Sequence, residues 1–177
     1  AHRYAQMMLT MKRDREALDA YRRVLKQKLD PNAERQFRAE AAELIVRIVG
    51  DPATKDPEKK ALLAEAEAMV DKLFWNLDVW FGKAVVIKAH IKQLEGKGEE
   101  AQKMIENYMP QLKQVHEALI KDEKELNVTG LVRMSPMAEC RYLLALMRYE
   151  EAQQMMKTPG FDQEKVKALL FGAKGAD

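Results

Sequence analysis

The stretch Arg15–Asn32, REALDAYRRVLKQKLDPN, decides the fold class. Ala17, Leu18, Tyr21, Val24, Leu25 and Leu29 recur at steps of one, three and four residues, the spacing of a single buried helix face. Charged side chains fill most of the positions between them. Pro31 supplies no backbone donor and restricts the residue before it, so the spacing predicts a helix from about Asp14 to Lys28 that Pro31 ends. Asn32 is then placed to cap the next helix.

The same pattern continues outward. Tyr4, Met7, Met8 and Met11 have helical spacing, so residues 1–11 read as the end of a first helix, and Lys12-Arg13-Asp14 makes the turn. A third helix, about Ala33 to Val49, carries Phe37, Ala41, Leu44, Ile45, Ile48 and Val49, with Gly50 where a left-handed C-terminal residue is expected. After a loop at Asp51–Asp56, Asp56-Pro57 starts a fourth helix through Leu62, Leu63, Ala66, Met69, Val70, Leu73 and Phe74. Leu77–Leu94 is the most apolar segment, and its apolar residues fall on more than one face, which predicts a helix at the centre of the domain. Gly96-Lys97-Gly98 turns the chain into a sixth helix, about Glu99 to Glu123, in which Pro110 is expected to kink or loosen one turn. Asn127–Met134 has no helical pattern. Ser135-Pro136 begins a seventh helix that Thr158-Pro159-Gly160 stops, and Asp162 caps an eighth carrying Val166, Leu169, Leu170 and Phe171. The expectation is a single all-α domain over 1–177, with antiparallel hairpins at about 1–30, 33–75, 77–125 and 135–173.

Composition agrees with that class. The chain is 47% hydrophobic and 33% charged, with only eight Gly and six Pro. Ala, Leu, Met, Glu, Lys, Gln and Arg, which lose little rotamer freedom in helices, dominate. A net charge of +2 gives no reason to expect nucleic acid or an anionic membrane as partner. The first thirty residues are more basic, with eight Lys and Arg against four acids, and a solvated helix face is favoured there over a phosphate-binding patch. Cys140 alone cannot form an internal disulfide or a Cys-based zinc cluster, and one thiol suits cytoplasm or periplasm equally. No membrane span or signal peptide is expected, because every apolar run is short.

The pattern resembles the tetratricopeptide repeat, a unit of two antiparallel helices. Ala5, Ala17, Tyr21 and Pro31 stand in the family's small, small, aromatic and proline roles, and REALDAYRRVL is close to its second helix. The spacing from Ala17 to Pro31 is two residues longer than the family's. Val85, Ala89, Gly96, Ala101 and Ile105 make a second match, with Tyr108 and Pro110 departing from the pattern. Tyr142, Leu144 and Ala145 make a third and weaker one, and the family's period is not kept. The resemblance implies a short right-handed α-solenoid whose concave face binds a peptide or protein. By register that face would hold His2, Gln6 and Thr10, then Lys83, Val86, His90 and Gln93, then Glu139, Tyr142, Leu146 and Tyr149.

No residue set points to catalysis. The chain lacks a Gly-rich phosphate loop, a His-Glu-x-x-His pair and a nucleophile elbow, so no catalytic residue, metal or cofactor is assigned. His90 and His116 could approach across a hairpin, yet spacing places no third ligand beside them. Cys140 among Leu143, Leu144 and Met147 reads as a buried structural thiol. The eleven methionines admit core filling or a plastic groove, and core filling is favoured, as it is for Trp75, Trp80 and Phe81. The expected function is a non-catalytic interaction scaffold. A self-assembly domain associating through the C-terminal helix is the alternative, and an accessory domain of an enzyme stands third.

Overall fold

The computed structural model describes residues 2–172 of the chain, and these form an all-helical structure without strands. The helices are α1 (His2–Thr10), α2 (Asp14–Val24), α3 (Pro31–Gly50), α4 (Asp56–Asp71), α5 (Val79–Leu94), α6 (Gly98–Glu125), α7 (Met137–Met156) and α8 (Gln163–Phe171). A short 3-10 turn, Val132–Met134, interrupts the connection from α6 to α7.

Three of the starts share one device. Asp30, Asp78 and Asp162 each accept two backbone N–H bonds from the first turn of the following helix. The cap of α3 is therefore Asp30 and not Asn32. Pro31 occupies the first helical position and holds Asp30 in an extended conformation, with its carboxylate poised over the helix start. Helix α2 also ends earlier than expected, at Val24, because Lys26, Gln27 and Lys28 are exposed and bring nothing to bury. Gly50 is the last residue of α3, and the glycines with positive φ are instead Gly96, Gly130, Gly160 and Gly172. Helix α6 runs uninterrupted through Pro110.

Ion pairs fix how the helices run. Arg15–Glu58, Arg22–Glu65 and Arg35–Asp78 each join residues 43 apart, so α2 runs parallel to α4 and α3 parallel to α5. The N-terminal ends of α5 and α7 also meet, where Gly82 lies so close to Pro136 that a Cβ would stand 1.8 Å from its Cγ. Substantial contacts occur within each pair (α1·α2, α3·α4, α5·α6, α7·α8) or between successive pairs. Between pairs, α3 packs on α2 and α5, and α7 packs on α5 and α6.

The core falls into two clusters. Pairs one to three enclose Ala5, Met8, Ala17, Tyr21, Leu44, Ile45, Val70 and Leu73, while α5, α6 and α7 enclose Ile105, Leu112, Cys140, Leu143 and Met147. Helix α5 belongs to both: Ala84, Ile87 and Ile91 face the first cluster, and Phe81, Val85, Val86 and Ala89 the second. Its apolar residues on several faces are thereby accounted for. Phe74, Phe81 and Tyr108 pack at the joint of α4, α5 and α6, with ring centroids 5.3–5.5 Å apart.

One expectation about the core fails. Trp75 is 85% exposed, since the chain leaves α4 before it and turns outward ahead of Asp78. In α8 only Val166 is buried and Leu169 is half-buried, whereas Leu170 and Phe171 face outward because no further helix lies beyond α8 within the described residues.

Candidate functional site

Helices α3, α5 and α7 present adjoining polar faces, and Lys83 ties them together. Its Nζ lies 3.1 Å from Glu139 on α7 and 3.8 Å from Glu43 on α3. Burial lowers the basicity of this half-buried ammonium, but Glu43 and Glu139 outweigh it and hold the pKa above the ordinary lysine value. A charge held this way stays on at any pH near neutrality.

Beside Lys83, a cavity of about 400 Å³ opens between α1, α3 and α5. Gln6 and Leu9 line it from α1, Tyr21 from α2, Glu40, Glu43, Leu44, Val46 and Arg47 from α3, and His90 from α5. Tyr21 reaches it from the core, where its Oη donates to Glu40 at 2.8 Å. Burial, and then that carboxylate, push the phenol above its ordinary pKa, so it remains a donor. Gln36 donates to the other oxygen of Glu40 at 2.7 Å. Arg47 is bidentate to Asp14 at 2.7 and 2.8 Å, which neutralises its guanidinium.

The structure brings together four of the eleven residues assigned from the register; Val86 is instead buried in the second core cluster, and Thr10 is exposed outside the cavity. Gln6 and His90 share the cavity, and Lys83 and Glu139 share an ion pair next to it. Gln93 lies elsewhere, in a cavity of about 930 Å³ between the Gly96–Gly98 turn and the C-terminal half of α7. Tyr142 (70% exposed) and Tyr149 are exposed on α7, Leu146 is half-buried, and none of the three lines either cavity. The side chain of His2 is outside the described residues.

Glu40, Glu43 and Arg47 were not expected at the site. The resemblance assigned no groove positions to the third helix. Their spacing of three and four residues puts them on one stripe of α3 beside Leu44, but nothing in that pattern says which neighbouring helices the stripe meets.

Other candidates have local explanations. Burial pushes the Cys140 thiol up to about 12, with Glu139 adding to the shift, which makes it a poor nucleophile. His116 Nδ1 lies 3.0 Å from Ser135 Oγ, at the entry to α7. Among the described residues there is no group of three or more His, Cys, Asp or Glu arranged to hold a metal ion, and no helix is long and apolar enough to cross a membrane. No protein-family model, curated protein or solved structure matches this chain.

Proposed function

We propose that the chain is a non-catalytic interaction scaffold, a divergent tetratricopeptide-like solenoid that binds an extended peptide or protein segment along the face of α1, α3, α5 and α7. The observation that carries this reading is the continuity of that face: an open cavity joins α1, α3 and α5, and Lys83 continues it to α7. Among the described residues the substantial helix contacts lie within pairs or between successive pairs, as a solenoid requires. The complete burial of Ala5, Ala17 and Tyr21 also suits the roles these residues would have in a tetratricopeptide hairpin. The 43-residue offset between partners in neighbouring pairs makes the unit longer than the family's, as the length of α3 demands. Peptide-array binding with the intact chain tests the reading. Binding that is lost in His90→Ala, with an unchanged circular dichroism spectrum, supports it. Binding that survives this substitution together with Lys83→Ala removes this face from the site.

A second reading has its own observation. Tyr142, Tyr149 and Met156 on α7, with Leu170 and Phe171 on α8, leave exposed apolar side chains on the last pair. Self-association through this end predicts a mass that rises with concentration in sedimentation, and a return to monomer in Tyr149→Lys. A monomer at every concentration eliminates it.

A further inference from the structure

Independently of the groove, we propose that the edge formed by the connections between pairs docks on an anionic phospholipid surface. Three contacts set these connections side by side. Arg35, at the start of α3, donates to the Leu73 carbonyl and to Asp78 at the α4–α5 turn. Gly82, in the first turn of α5, lies against Pro136 at the start of α7. Glu123, near the end of α6, accepts the Val132 N–H from the link to α7 at 2.8 Å. Along this edge Trp75 and Leu77 stand exposed in one connection, and Leu126, Val128 and Met134 in the next. The opposite edge, made by the turns within pairs, exposes Met11, Leu94 and Met156 and no tryptophan. Single exposed apolar side chains are ordinary, but five on adjoining connections call for a partner.

The charges on the same connections narrow what that partner is. Arg23, Lys26 and Lys28 flank the end of α2, Lys72 follows α4, and Lys124 and Arg133 flank the α6–α7 link. All of these are exposed, and none is in an ion pair among the described residues. The acids of these segments are mostly engaged. Asp71 holds Lys88, Asp78 holds Arg35 and Glu125 holds Lys121. Asp30 and Glu123 accept backbone N–H bonds, which leaves Asp122 as the one unengaged carboxylate among the described residues here. The net charge of +2 over the whole chain conceals this local excess. A second copy of the same edge would set cations against cations, and a purely apolar partner would strip them of water. An anionic bilayer meets both demands. Its interface accepts tryptophan and aliphatic side chains, and its headgroups pair with Lys and Arg whose stems reach along the apolar surface. None of the five apolar residues lines either cavity described above, which suits a planar partner better than an inserted side chain.

The experiment floats the whole chain with phosphatidylcholine vesicles, with and without phosphatidylserine. Binding should require phosphatidylserine, weaken as salt is raised, and shift tryptophan emission to the blue. Trp75→Ala should weaken binding about tenfold and remove the shift. Lys26→Gln combined with Lys28→Gln should weaken it about twentyfold, each cation near an anionic surface counting for about fivefold. Circular dichroism should be unchanged in both variants, because the altered side chains are exposed. Met11→Ala, on the opposite edge, should bind as the wild type does. Absence of binding to phosphatidylserine vesicles, equal binding to both kinds of vesicle, or binding that Trp75→Ala leaves unchanged overturns the proposal. A wild type that does not float but sediments as a dimer, with Trp75→Ala a monomer, also overturns it and assigns the edge to a second copy of the chain.

Discussion

Replacing Arg35 with methionine tests how the pairs are joined. The guanidinium reaches from the start of α3 to the turn between α4 and α5. Its Nη2 donates to Asp78 Oδ1 at 2.8 Å and to the carbonyl of Leu73 at 3.0 Å, and its Nε donates to Asp78 Oδ2 at 3.1 Å. The Arg35 side chain is 11% exposed and that of Asp78 33%. Arg35→Met keeps the stem and removes every one of these bonds. Breaking a buried pair costs about 3–5 kcal/mol, and because one third of Asp78 is open to water the lower end applies, about 3 kcal/mol or roughly a hundredfold in the folded ratio. Asp78→Asn retains an oxygen over the α5 start and loses only the charge, at about 1.5 kcal/mol. Because both changes remove the same interaction, the double variant should fall short of additivity by about 1.5 kcal/mol. Urea unfolding followed by circular dichroism measures all three. Arg15→Met is the control: its partner Glu58 lies at the same 43-residue offset, but the side chains are 60% and 40% exposed, so the unfolding midpoint should not move. An Arg35→Met loss below about 1 kcal/mol, or a strictly additive cycle, would refute the claim that this clamp holds the second pair to the third.

Gly82→Ala sets a Cβ 1.8 Å from Pro136 Cγ, and a proline ring against backbone cannot turn aside. A loss of about 2–3 kcal/mol in thermal or urea unfolding is expected, and a neutral result would mean that α7 shifts freely on α5. Cys140 should resist iodoacetamide at pH 8 in the folded chain and react once urea unfolds it. The thiol, ordinarily at 9.0, sits at about 12 in the fold, so its contribution to stability is full below pH 9 and is lost as pH climbs through that window. An alkaline titration of stability in the wild type and in Cys140→Ala measures this difference. Thr54→Val removes the bond from Thr54 Oγ1 to the Ile48 carbonyl at 2.6 Å, in the one buried polar side chain found among the described residues, and should cost about 1–2 kcal/mol by urea unfolding.

Local chemistry made much of the helical arrangement readable in advance. Periodicity located the buried stripes of α2 and α3, and Asp162 and Gly96 marked a start and a turn that the structure retains. These signals need only neighbours in the chain. The boundaries that shifted depended on competition: Asp30 and Asn32 can both cap a helix, and Pro31 decides between them by where its ring fits. Trp75 was misread because apolar composition cannot distinguish the last turn of a helix from the turn after it. At the candidate site, Gln6, Lys83, His90 and Glu139 followed from register. Their neighbours Glu40 and Glu43 depend on how α3 lies against α1 and α5, and no local pattern contains that information. Gln93 kept its register on α5 but sits beside the C-terminal half of α7, at the other cavity.

Helix α5 has one further consequence. Substantial contacts that, among the described residues, run within pairs or between successive pairs would by themselves let the chain melt piecemeal, each pair on its own account. A helix whose opposite sides belong to different cores forbids that near the middle. Ile87 and Val86 are adjacent in the chain yet anchor separate clusters, so loosening one displaces the other. The two halves are thus obliged to share a single fate, and the length over which the molecule holds order is set by this one shared helix.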